Sequence, residues 1–140
     1  MAGGPVPTFR EDMSLPELWQ ARVGLTPERE AYRYFDAALG AWVSHSWVDM
    51  AARVLRWRRA LSSEAVGSGA RIGVLLPNGV EHVCADQAEL SLGLTPVPLH
   101  VVDNAENLVY ILADSGTSIL LVDSLDRGGP SRCIRRASRS

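Results

Sequence analysis

Two spacings of apolar residues divide the chain. In the first sixty residues, Leu15, Leu18, Trp19 and Val23 recur at helical intervals. Ser14 precedes them as a cap, Glu17 is placed to reach back, and Pro16 falls in the first turn, where an amide has no partner inside the helix. Gly24 and Thr26-Pro27 end that helix. Ala31 to Phe35 and Trp42 to Ser46 are aromatic-rich and flank Asp36 to Gly40, which predicts a β-hairpin with a longer loop. Ser46 to Asp49 repeats the cap pattern. Met50, Ala51, Val54, Leu55, Arg58 and Leu61 then predict a second helix to about Leu61.

From Arg71 the pattern changes. Ile72 to Leu76 is a short continuous apolar run, suited to a strand buried on both faces, and Pro77-Asn78-Gly79 is a turn. Val80 to Leu92 has helical spacing closed by Gly93, Thr95 to Leu99 is a second strand, and His100 to Asn104 is a loop. Ala105 to Ser115 is a helix stopped by Gly116, and Ser118 to Val122 is a third strand. The predicted fold is α/β: an incomplete parallel sheet of β-α-β-α-β order, preceded by a helix, a β-hairpin and a helix. Pro96 and Pro98 cannot donate to a ladder, so the second strand belongs at an edge or is irregular. Three strands make a small sheet, and Ile72, Val74, Val97, Ile119 and Leu121 are expected to be short of cover.

Composition narrows the chemistry. The 140 residues are 46% hydrophobic with a net charge of −2, within the range of one globular domain. All 14 basic residues are arginine. Without lysine, the phosphate-loop lysine of nucleotide triphosphatases, Schiff-base chemistry and the kinase strand lysine are excluded. Cys84 and Cys133 lack partners at metal-ligand spacing, which excludes a zinc finger and a disulfide scaffold. Met1 to Arg10 is Gly/Pro-rich without a secretory apolar run, and no window approaches a membrane span, so a cytoplasmic location is expected. Arg127 to Ser140 holds five arginines and no acid, against nine arginines and all 16 acids before it. The chain accordingly divides into a flexible N-terminus over 1–13, a folded portion over 14–123 and a disordered basic tail over 124–140.

In a parallel sheet, ligands gather beyond the carboxyl ends of the strands, here Pro77 to Gly79, His100 to Asn104 and the segment after Val122. None holds a recognised catalytic set. Gly67-Ser68-Gly69 precedes a strand rather than following one, which makes it a plain loop. His45, His82 and His100 stand at unrelated spacings. His100 is the best placed to meet a ligand, although a structural or solvent-facing role is the default reading for it. Cys84 is expected to be a small core residue, and Arg53, Arg56, Arg58 and Arg59 to be solvated. Asp103, Asp114 and Asp123 suggest a response-regulator acid cluster, but the lysine of that chemistry is absent. No catalytic, cofactor-binding or metal residue is therefore assigned.

The succession of pieces resembles the opening of AMP-forming acyl-CoA synthetases, particularly the long-chain fatty acid type. It is carried by Leu15-Pro16-Glu17-Leu18-Trp19, Thr26 to Ala31, and Trp42-Val43-Ser44 leading into Ser46-Trp47. It continues through Gly69 to Glu81, Ala85-Asp86, Thr95 to Leu99 and Leu108 to Gly116, and covers about Leu15 to Asp123. His82, Leu94 and His100 depart from the family's usual residues. The resemblance implies ATP, magnesium and coenzyme A as cofactors of the full-length family and a fatty acid as small-molecule substrate. It also implies a phosphate loop ending in lysine and a mobile domain carrying a catalytic lysine, neither of which occurs here. From Leu125 the composition turns to Arg, Ser and Gly, and the chain is read as a truncated or frame-shifted N-terminal fragment, inactive alone. A non-catalytic binding or interaction module, or a subunit completed in trans, is the alternative. No nucleic acid and no membrane span are expected, and self-association through an exposed sheet edge is open to it.

Overall fold

The computed structural model describes residues 5–6, 8–123 and 132–136. The described elements are α1 (Leu15–Leu25), β1 (Glu30–Asp36), β2 (Ala41–Ser46), α2 (Trp47–Ser62) and β3 (Arg71–Leu75). They continue with α3 (Val80–Ser91), β4 (Thr95–Pro98), α4 (Ala105–Asp114), β5 (Ile119–Asp123) and β6 (Arg132–Arg136). Both expected capping boxes form. Ser14 Oγ accepts from the Glu17 amide at 3.4 Å while Glu17 Oε2 accepts from the Ser14 amide at 2.7 Å. Ser46 and Asp49 repeat the exchange at 3.2 and 3.0 Å. Each box satisfies amides that the first helical turn leaves without partners. Helices α3 and α4 are each followed by a glycine at positive φ, Gly93 (+68°) and Gly116 (+64°), a conformation that costs other residues a steric clash.

Strands β1 and β2 pair antiparallel, with Phe35 opposite Trp42 and their rings edge to face at 5.7 Å. The hairpin is tied to the helices through Trp47, the first residue of α2. Its ring meets Trp19 of α1 at 5.4 Å and Tyr32 of β1 at 6.2 Å, both edge to face, and the Arg22 guanidinium lies 5.1 Å from its centroid.

The larger sheet has the order β4-β3-β5-β6. β3 pairs parallel with both β4 and β5, as the β-α-β-α-β pattern requires. Pleating sends Ile72 and Val74 of β3, together with their register partners Ile119 and Leu121 of β5, to one face. There they join Met50 and Leu61 of α2 and Cys84 and Ala88 of α3 in one core. Gly73 points to the opposite face, under Leu112 of α4. The two crossover helices therefore cover opposite faces of the sheet.

Two expectations need correction. Ile72, Val74, Ile119 and Leu121 are not short of cover: each is at most 1% exposed, because α2 and α3 together roof their face. The basic tail is also not featureless throughout, since β6 pairs antiparallel with β5 from Ile119↔Arg136 to Asp123↔Arg132. Backbone pairing needs only an open edge and an extended partner, so a segment poor in apolar residues can supply it. The remainder of 124–140 lies outside the described residues.

Candidate functional site

A cleft of about 390 Å³ opens beyond the carboxyl ends of β3 and β5. Its floor is the turn from Leu76 to Gly79 and the first turn of α3. One wall comes from the hairpin, through Tyr34, Phe35 and His45, and the rim carries Asp123 at the end of β5. Tyr34 and His45 stack with their rings 5.6 Å apart and 16° from parallel, across the two hairpin strands. On the α2 side, Arg53 Nη1 lies 2.6 Å from Glu81 Oε1, and Trp57 Nε1 donates to Glu81 Oε2 at 2.9 Å. Arg53 and Glu81 side chains are 29% and 28% exposed, so the pair is sheltered enough to fix α2 against the start of α3. Glu81 stands in the first turn of α3, where a negative charge complements the helix dipole. Gly79 caps that helix without a side-chain hydrogen bond.

The lining supplies aromatic surface, the His45 imidazole, the Asn78 amide, one carboxylate at the rim, Asp123, and one bound ion pair. It has no serine, threonine, cysteine or lysine. Among the described residues no three His, Cys, Asp or Glu side chains come together to hold a metal. This donor set does not fit a magnesium-bound triphosphate, and no phosphoryl-transfer step can be built from it.

Of the three loops singled out in the sequence, two reach this cleft: Pro77 to Gly79 directly, and the third through Asp123. His100 is exposed on the loop after β4, outside the lining. His45 joins the cleft through its ring stack. His82 instead points along α3 toward Asp86, with Nε2 and Oδ2 3.7 Å apart. Cys84 is fully buried in the core, as its type suggested. Asp103, Asp114 and Asp123 lie on three separate segments and form no cluster. The arginines of α2 divide: Arg56 and Arg59 are exposed, Arg58 lines a groove between α1, α2 and α3, and Arg53 is engaged by Glu81. The reading of all four as solvated is thus corrected for Arg53, whose partner lies 28 residues away, beyond any helical spacing.

Residues 19–138 match the AMP-binding enzyme family. The chain belongs to that family. The match runs past Asp123, so family character does not end at the change in composition after Ser124. A relative is surfactin synthase subunit 1 of Bacillus subtilis (strain 168), 29% identical over 123 residues, which are 88% of this chain and 3% of that protein. Another is the long-chain-fatty-acid–CoA ligase FadD13 of Mycobacterium tuberculosis, 26% identical over 122 residues, 87% of this chain and 23% of the ligase. Among solved structures, the Bacillus subtilis O-succinylbenzoate coenzyme A synthetase in complex with ATP and a magnesium ion superposes with a TM-score of 0.68 at 30% identity. That match covers 78% of this chain and 28% of the synthetase. The chain thus spans less than a third of each. It resembles part of the N-terminal domain of AMP-forming acyl-CoA ligases, and two of these relatives are named for different acids, a long-chain fatty acid and O-succinylbenzoate.

Proposed function

We propose that this chain is the N-terminal scaffold portion of an ATP-dependent carboxylate-activating ligase of the fatty acyl type, which forms an acyl-adenylate and then a coenzyme A thioester. The observation that supports this most is the unbroken family match over 19–138 coinciding with the β3-α3-β4-α4-β5 sheet. The long-chain reading draws on the likeness to the mycobacterial long-chain-fatty-acid–CoA ligase and on the resemblance carried by Leu15 to Trp19 and Leu108 to Gly116. ATP, magnesium, coenzyme A and a fatty acid are the ligands of that whole reaction. This chain contributes the sheet and its roof to it, and no lysine. No helix among the described residues is long and apolar enough to cross a membrane, and a cytosolic setting goes with this reading.

The test has two arms. The purified chain, incubated with ATP, magnesium, a fatty acid and coenzyme A, is expected to release no pyrophosphate above blank. A chimera in which residues 15–123 replace the equivalent segment of a fatty acyl-CoA ligase is expected to retain adenylation, and to retain more of it than the same graft into a succinylbenzoate ligase. Turnover by the chain alone, a folded but inactive fatty acyl chimera, or equal performance in both hosts would overturn the respective part of the reading.

A further inference from the structure

Glu89 occupies an unusual place for a carboxyl group. It is fully buried, among the largest side chains to be so, and neither Oε1 nor Oε2 has a hydrogen-bond partner among the described residues. It lies in the last turn of α3, whose carbonyl ends carry partial negative charge, and that turn contains no basic residue. Its own carbonyl accepts from the amides of Leu92 at 3.0 Å and Leu94 at 2.9 Å, so it is the residue from which the chain turns into β4.

The charged groups around it offer no compensation. Along the same flank of α3, Asp86 precedes it by one turn and His82 by two, and His82 faces Asp86. β4, with the sequence Thr-Pro-Val-Pro, has no titratable side chain. From α2, Arg53 is held by Glu81, and Arg58 lies in the groove with Gln87 and Ser91, on the opposite side of α3 by the 100° step of the helix. From α1, Glu17 is bound to Ser14, and Arg22 lies over Trp47. An ionised carboxylate here would be desolvated, unpaired and opposed by both Asp86 and the helix dipole.

We propose that Glu89 makes the seam between α3 and β4 a protonation-dependent joint, closed while the carboxyl keeps its proton and opened when that proton is lost to solvent. Burial first, and the Asp86 charge second, push the Glu89 carboxyl up to about 8. In the open seam the carboxyl is hydrated and returns to the ordinary glutamate range. Between those two values the closed form holds one more proton than the open form. The opening equilibrium therefore rises on the order of tenfold per pH unit across that window and levels off above it.

The test uses the whole chain, uniformly labelled with ¹³C and ¹⁵N. Carboxyl ¹³C shifts are expected to show Glu89 titrating far above the exposed glutamates. Exchange of the Leu94 and Thr95 amides, corrected for base catalysis, is expected to accelerate about tenfold per pH unit, while the Val48 amide, bonded to Pro27 at 2.9 Å, does not follow. Glu89→Gln should make the corrected exchange independent of pH. Titration of Glu89 with the exposed carboxylates, or the same acceleration in Glu89→Gln, would overturn the joint. Should that variant not fold, equal acceleration at Leu94, Thr95 and Val48 in the unmodified chain would overturn it equally.

Discussion

The amide of Leu99 donates to the carbonyl of Val74 at 2.9 Å, and four residues earlier the amide of Thr95 donates to Ala70 at the same distance. Amides alternate sides along a strand, so the odd-numbered amides of β4 face β3. Positions 96 and 98 then face away from the sheet, and both are proline. The ladder inside loses nothing, while the outer edge loses two donors that a pairing chain would need. Replacing both prolines with valine should restore those donors and promote self-association, measured as a larger sedimenting species at equal concentration. An unchanged sedimentation profile would mean that something other than the prolines protects this edge.

The opposite edge is covered by β6. Composition alone suggests that deleting everything after Asp123 would leave the thermal midpoint nearly unchanged. The pairing of β5 with β6 at five positions argues otherwise. Each ladder hydrogen bond contributes a net ~1 kcal/mol. Deletion of 124–140 should therefore lower the midpoint by at least ~4 °C in a calorimetric scan. An unaltered midpoint would show that the pairing contributes nothing to stability.

These two edges show where the sequence was legible. The capping boxes at Ser14 and Ser46, the stops at Gly93 and Gly116, and the apolar runs of β3 and β5 are local signals, and the structure follows them to within a residue or two. The edge position of β4 followed from proline chemistry. β6 did not, because Arg132 to Arg136 has no alternation to mark it and is recruited by a partner strand whose edge would otherwise stay open. At the cleft, the loop from Pro77 to Gly79 was found from topology. The Arg53–Glu81–Trp57 contact was not, since helix spacing reports only neighbours three or four residues apart. Glu89 lies in the same blind spot: its place in a helical run gives no sign that its flank is sealed.

Gly73 tests the layer between β3 and α4. A Cβ built there would stand 2.9 Å from Leu112 Cδ2 and 3.0 Å from Leu120 Cδ1. Both are ends of flexible side chains, but they meet within a packed layer. Gly73→Ala should cost ~1–3 kcal/mol in denaturant unfolding. Gly67→Ala, with nothing within 4 Å of the added carbon, should be close to neutral. Equal effects at the two sites would show that α4 is loosely held.

Arg53→Ala should destabilise the chain by roughly 1–2 kcal/mol, between the values for exposed and for fully buried pairs. A double-mutant cycle with Glu81→Gln isolates the pair from the rest of the Glu81 environment. The expected coupling is positive. A coupling near zero would mean that Arg53 is held by packing against the cleft wall and not by charge.

Acid should first loosen the two capped helices. Hydrogen bonds from Ser46 hold the Asp49 carboxyl below its ordinary range, and the Ser14 amide and hydroxyl do the same for Glu17. For a carboxyl lowered in the folded state, the stabilisation is complete above its unfolded value and disappears as pH falls through the folded one. Helical circular dichroism should therefore hold down to the ordinary carboxylate range and decline below it. Ser46→Ala removes the acceptor for the Asp49 amide as well as the hydroxyl donor to its carboxyl, leaving the backbone amide of residue 46 as a donor, and should cost ~1 kcal/mol at neutral pH. Because it also returns Asp49 toward its ordinary value, its deficit relative to the unmodified chain should shrink as the pH is lowered. A deficit that stays constant into acid would show that the cap acts through the amide alone, with the Asp49 charge contributing nothing.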